Sequence, residues 1–258
     1  MMAQLGLAYQ AQTCDRGRVN TTGDKIALIT GAARGLGRCI AVQLAARGYR
    51  IAGLDTRAQE LGQTMEDIRE AQGVETLALV CDVSREAQVR DAVGRALAHF
   101  GHVDLLVSNA GYREVGKVWT LSTENWERTL GTNLKGAFLL TRELLAGGML
   151  ERDAGKLIYI SSDAGVHGSE DSSIYCASKW GLRGFAASVA KDLRRTQIRV
   201  TTILPGMIET PMARESEVWD QGLVWLDPDH VARAVVQCAE LDPTVHVGEM
   251  LIHDKAYI

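Results

Sequence analysis

The pattern that most constrains this chain is an alternation of seven short apolar runs with longer stretches whose apolar residues recur at the helical period. The runs are Lys25 to Thr30, Arg50 to Leu54, Glu75 to Val80, Val103 to Ser108, Lys156 to Ser161, Ile198 to Leu204 and Glu249 to His253. Their apolarity is continuous, which predicts strands buried on both faces, and the helix-length spacers predict crossovers between parallel strands. The expected fold is therefore α/β, a doubly wound parallel seven-stranded sheet flanked by helices. A length of 258 residues suits one domain, read as 24–258, after a polar N-terminal extension over 1–23. One spacer is long. After Leu121 it opens with Ser122 or Thr123 as cap, keeps Trp126, Leu130, Leu134, Ala137, Phe138 and Leu145 near the 3.6 period, and stops at Gly147-Gly148.

The first run leads into Thr30-Gly31-Ala32-Ala33-Arg34-Gly35-Leu36-Gly37 and then a helix. Glycines permit a tight turn there, and a helix N-terminus offers free N–H groups to a pyrophosphate. The spacing Gly-x-x-x-Gly-x-Gly is unlike the ordinary dinucleotide fingerprint Gly-x-Gly-x-x-Gly. Asp55 follows Gly37 by eighteen residues and ends the second run. A carboxylate so placed accepts from adenosine ribose hydroxyls and repels a 2′-phosphate, so NAD is preferred to NADP. Arg34 and Arg57 soften that preference, because a guanidinium nearby receives such a phosphate. A surface-turn role for Asp55 is the competing reading.

Ser162 closes the fifth run, and thirteen residues later comes Tyr175-Cys176-Ala177-Ser178-Lys179. On a helix Tyr175 and Lys179 share a face, so an ammonium stands beside a phenol and favours phenolate. A free Tyr titrates near about 10, and a shift toward the working pH suits a general acid/base for an alcohol or ketone. Ser162 is the natural second donor, whereas Ser161 points to the opposite face of an extended strand. Tyr-x-x-x-Lys by itself also occurs on solvated helix faces, so the glycine turn and the acidic residue after the second run carry as much of the reading.

Together these motifs resemble the short-chain dehydrogenase/reductase family, from about Gly23 onward. The resemblance implies a Rossmann-like fold and hydride transfer between a nicotinamide and a secondary alcohol or ketone. It places Gly31, Gly35, Leu36 and Gly37 at the pyrophosphate, Asp55 at the ribose and Asp82 at the adenine, with Arg34 and Val83 among the other cofactor contacts. Asp82 reads equally as a helix cap beside Ser84. Ser108-Asn109-Ala110-Gly111 resembles the family's Asn-Asn-Ala-Gly, so Asn109, Ala110 and Gly111 would pass beneath the coenzyme. Pro205, Gly206, Ile208 and Thr210 would meet the nicotinamide, although Thr210-Pro211 also reads as a plain helix start. The catalytic set implied is Asn133, Ser162, Tyr175 and Lys179. Tyr175 is then the acid/base, Ser162 holds the substrate oxygen, and Lys179 lowers the Tyr175 pKa and binds nicotinamide ribose. Asn133, at a helix irregularity, holds a water that touches Lys179.

Composition limits the partners. A net charge of -4 without a long basic run argues against nucleic acid or an anionic membrane. Five scattered cysteines without a Cys-x-x-Cys pair argue against a disulfide framework or a metal site and suit a reducing cytoplasm. No apolar run approaches the roughly 18 residues of a membrane span. The expected partner is a small alcohol or ketone under a lid at about 207–227, with Tyr112 to Trp119 and Ala164 to Gly168 as further walls and His167 as a polar candidate. The family implies a homotetramer or homodimer, but His253-Asp254-Lys255-Ala256 stands where many members have a Gly-Gly turn. Two other functions fit the same residues: an NADPH-dependent reductase of 3-oxoacyl type, for which Arg34, Arg113 and Lys117 are too few to form a docking patch, and a non-catalytic dinucleotide-binding regulator.

Overall fold

The computed structural model describes residues 25–214 and 225–255, so the 1–23 extension and positions 215–224 of the expected lid lie outside the described residues. The strands are β1 Ile26–Thr30, β2 Arg50–Asp55, β3 Thr76–Val80, β4 Leu105–Ser108, β5 Lys156–Ile160, β6 Arg199–Pro205 and β7 Glu249–Ile252. Between them lie α1 Gly35–Ala45, α2 Ala58–Gln72, α3 Glu86–Phe100, α4 Thr123–Leu130, α5 Gly136–Leu144, α6 Leu150–Arg152, α7 Ser173–Asp192, α8 Pro211–Arg214 and α9 Pro228–Glu240. Each apolar run is a strand, differing from expectation only at its ends: β4 starts at Leu105 instead of Val103 and β6 reaches Pro205. All pairings are parallel, in the order β3-β2-β1-β4-β5-β6-β7. The order reverses at β1, which sits between β2 and β4, and a crevice opens beyond the carboxyl ends of strands at such a reversal.

Two apolar layers hold the sheet. On one face Ile40 and Leu44 of α1, Leu61 and Met65 of α2 and Val235 of α9 pack on Ile29, Ile51 and Val107. On the other, Val89 and Val93 of α3, Leu140 and Leu144 of α5 and Leu182 of α7 pack on Leu28, Leu54 and Leu106. Burying one such side chain contributes about 1.5–3 kcal/mol, and β1, buried throughout, lies inside the sheet between β2 and β4.

The long spacer departs from a single helix. Ser122 caps α4 in a reciprocal box with Asn125, as the sequence predicts. A π-helical turn, Gly131–Lys135, then separates α4 from α5, and a second, Leu145–Met149, includes Gly147 and Gly148 in non-helical conformations. Gly136, a poor helix former, has a packing reason: a Cβ there would lie 2.8 Å from Val83 Cγ2, so only glycine lets α5 settle on the turn after β3.

The turn after β1 is as tight. Gly31 and Gly35 have φ of +69° and +56°, and a Cβ on Gly37 would lie 2.0 Å from the Gly31 carbonyl oxygen. Gly37→Ala is therefore expected to cost about 3 kcal/mol in urea unfolding and to abolish measurable dinucleotide binding, since backbone cannot yield as a side chain does. A loss under about 1 kcal/mol with binding intact would contradict this packing.

Candidate active site

The floor of the crevice is a knot between β1 and β4. Thr30 Oγ1 accepts from the N–H groups of Asn109 and Ala110, both at 2.9 Å, and Asn109 Nδ2 donates to the Thr30 carbonyl at 2.9 Å. Ser108, where the family has Asn, is buried at the end of β4. Above the knot α1 begins. Its first turn contains no acidic residue and its N-cap, Arg34, makes no side-chain cap, in contrast to α4 and α9. That leaves its N-terminal N–H groups to an anion, and this first turn fits a pyrophosphate.

At the adenosine end Asp55 is only 7% exposed. Its carboxylate accepts from the N–H of Ala33 at 3.2 Å and of Arg57 at 3.0 Å, and the Arg57 guanidinium lies 3.6 Å away. Asp82 Oδ1 accepts from Ser84 N at 2.9 Å and Ser84 Oγ at 2.7 Å, so the capping geometry is realised whatever else Asp82 does. Val83 is buried beside it.

The far wall comes from the segment after β6. Gly206 donates its N–H to the Ile252 carbonyl at 2.8 Å, and Ile208 bridges Leu226. Thr210 Oγ1 accepts from Ala213 N at 3.4 Å as α8 starts at Pro211, so the helix-start geometry is present too. Thr210 and Pro211 close over Gly35: a Cβ there would lie 3.3 Å from Pro211 Cδ. Two segments distant in sequence thus meet across the mouth of the crevice.

Between these walls the remaining four residues converge. The Asn133 side chain, in the first π-turn, accepts from Tyr112 N at 2.7 Å and donates to the Tyr112 carbonyl and to Ser178 Oγ, both at 2.9 Å. This locks the turn after Gly111. Ser162 ends the β5 segment, and Tyr175 and Lys179 lie one turn apart on α7, with Lys179 Nζ 5.5 Å from the Tyr175 ring centre. Lys179 is 3% exposed and donates to the Ile160 carbonyl at 2.8 Å. Ser161 is turned away, bonding to the Lys179 carbonyl at 3.2 Å.

One expectation needs correction. The spacing predicts a Tyr175 phenol made more acidic by Lys179; here burial pushes the phenol above its ordinary value, against its hydrogen bonding with Ser162 and the charge of Arg113, with Asp163 adding to the rise. Burial also lowers the Lys179 amine from 10.5 to about 8, so that it is a charge at neutral pH and loses it in the alkaline range. Two neighbours of the set stand closer than the sequence foretold: Asp163, not singled out at all, and Arg113, named only as part of a wall and of too small a basic patch. Asp163 Oδ1 accepts from the Ser162 hydroxyl at 2.8 Å, and Arg113 lies 5.9 Å from the Tyr175 ring centre. Adjacency to Ser162 and to Asn109-Ala110-Gly111 was the available signal. His167 is exposed. A separate groove of about 540 Å³ between α7 and β6–β7 is lined by Ala190, Arg194 and His246, away from these residues.

Among the described residues no group of His, Cys, Asp and Glu is placed to hold a metal, and no helix is long and apolar enough to cross a membrane. Residues 25–221 match the family model described as short chain dehydrogenase. The 3-oxoacyl-acyl-carrier-protein reductase of Escherichia coli is 36% identical over 190 residues, 74% of this chain and 76% of that protein. The sepiapterin reductase of Chlorobaculum tepidum is 35% identical over 234 residues, 88% and 94% respectively. Actinorhodin polyketide ketoreductase, solved with NADPH, superposes with a TM-score of 0.84 at 32% identity, covering 89% of this chain and 96% of that one. A fold shared along most of the chain, and sequence identity of this size, settle the lineage: the chain belongs to the short-chain dehydrogenase family, oxidoreductases of alcohols and ketones that use a nicotinamide dinucleotide.

Proposed function

We propose that this protein reduces a small ketone to a secondary alcohol, reversibly, with Tyr175 as proton donor and acceptor. The observation that carries the reading is the convergence of Tyr175, Ser162 and Lys179 at the end of the sheet where α1 starts uncapped, with Lys179 reaching the Gly111 turn. A bound nicotinamide supplies the hydride. Tyr175 gives its proton to the ketone oxygen, and Ser162 holds that oxygen once its hydroxyl turns from Asp163. Lys179 keeps N–H donors beyond its bond to Ile160 for a ribose, and Asn133 fixes the Gly111–Tyr112 turn beneath it. The three relatives named as reductases support reduction as the direction, and the Escherichia coli protein among them a 3-oxo substrate.

For the coenzyme, Asp55 favours NAD(H), because a carboxylate at the ribose repels a 2′-phosphate. A second reading, NADP(H), is favoured by Arg57 against that carboxylate and by the NADPH of the actinorhodin ketoreductase. Comparing kcat/KM for NADH and NADPH decides between them, and Asp55→Ala is expected to move the ratio toward NADPH by at least about 10-fold. Loss of both activities alike would make Asp55 a turn residue only. The proposal as a whole is tested by coenzyme oxidation across a panel of ketones; tight dinucleotide binding without turnover of any of them would give the regulator reading. The family alone carries the expectation of a cytoplasmic homotetramer or homodimer, which light scattering of the purified protein tests as to size.

A further inference from the structure

Arg113 follows the Asn109-Ala110-Gly111 turn, where the Asn133 side chain pins Tyr112 on both its N–H and its carbonyl. Its guanidinium lies 5.9 Å from the Tyr175 ring centre and donates to Ser172 Oγ at 3.2 Å. It makes no other hydrogen bond and no ion pair among the described residues, and its Nε is buried without a partner. The carboxylates of the neighbouring segments are committed elsewhere. Glu114 takes the Tyr112 hydroxyl, Asp163 takes Ser162 Oγ and Ala164 N, and Glu170 and Asp171 both take Lys117. By contrast Arg152, Arg183 and Lys117, away from the ring, each have an acidic partner.

A half-buried guanidinium with one neutral hydrogen bond is under-satisfied, and its fork of N–H groups matches a carboxylate with two parallel bonds. We propose that Arg113 anchors a carboxylate on the substrate, so that the preferred substrate is a short-chain oxo acid, or a hydroxy acid in the reverse direction. This deepens the reductase reading and rests on it. The carboxylate takes no part in the chemistry. It fixes which ketone reaches Tyr175 and how the carbonyl is turned, which is where orientation contributes to rate.

The test compares acetoacetate and levulinate with their methyl esters, in the unaltered protein, Arg113→Met and Arg113→Lys. The unaltered protein is expected to prefer at least one acid over its ester in kcat/KM. Arg113→Met should lower that acid-to-ester ratio by about 100-fold, chiefly through KM, and Arg113→Lys should restore part of it. Equal use of acid and ester by the unaltered protein would overturn the proposal. So would an equal fall for both in Arg113→Met, with only the pH profile displaced, since Arg113 would then act through Tyr175. A binding arm separates this from the reductase reading: calorimetric titration of levulinate into the dinucleotide-loaded Tyr175→Phe protein, with and without Arg113→Met. Arg113-dependent binding there supports the anchor even if no ketone is turned over, and binding that ignores Arg113 sinks it even if ketones are reduced.

Discussion

Tyr175→Phe is expected to lower kcat/KM for ketone reduction by about 1000-fold or more while changing the dinucleotide Kd by less than about 3-fold. The substitution keeps the ring, and with it the contacts of Lys179 and Arg113 against the ring. Only the hydroxyl goes. General acid catalysis contributes about 100- to 10,000-fold, and no other group among the described residues stands ready to supply that proton at the same point: Lys179 is turned to the Ile160 carbonyl and the Ser162 hydroxyl donates to Asp163. Steady-state reduction of the best ketone of the panel, with dinucleotide affinity from calorimetry, checks both halves. Undiminished turnover would remove Tyr175 from the mechanism, and a matching loss of dinucleotide affinity would make it a binding residue instead.

The strands were readable because continuous apolar runs of strand length have few other ways to be buried, and the spacers between them carried the helical period. Boundaries blurred where polar residues such as Asp104 interrupt a run. The glycine turn was readable as a turn, but the reason for Gly37 lies in a backbone oxygen six residues back, and that for Gly136 in Val83, a partner brought near only by folding. Asn133 was found through its resemblance to a family position. Its bonds to Tyr112 and Ser178 join three separate segments, which no spacing along the chain announces. The direction of the Tyr175 shift was misread for the same reason. Spacing reports that Lys179 is close, but not that burial acts on the phenol and the amine together. Arg113 could be seen in the sequence as a basic residue. Its open charge could not, because that depends on which acids the two neighbouring loops have already used.

Burial at Lys179 makes the site a source of instability, and this gives the second large effect. An unfolded chain holds the Lys179 proton up to about 10.5, the folded one only to about 8. Between those values the unfolded state binds more protons, so raising the pH through that window stabilises the fold, and at pH 7 the full cost of burying the charge is present. That shift corresponds to about 3 kcal/mol, and losing the bond to the Ile160 carbonyl returns about 1 kcal/mol of it. Lys179→Met, close in length and apolar, is therefore expected to be about 2 kcal/mol more stable than the unaltered protein at pH 7, a rise of about 5 °C in Tm, while ketone reduction falls by at least about 100-fold. The two Tm values should converge as pH rises from 8 toward 10.5, because the Lys179 contribution is gained there by the unaltered protein alone, whereas Lys156, likewise lowered to about 8, acts on both alike. A Lys179→Met protein less stable than its parent at pH 7, or a gap that widens with pH, would show that the amine is held by something stronger than its single carbonyl partner. The expected pairing, more stable and nearly inactive, is what distinguishes a charge kept for chemistry from one kept for structure, since a structural ion would lose both.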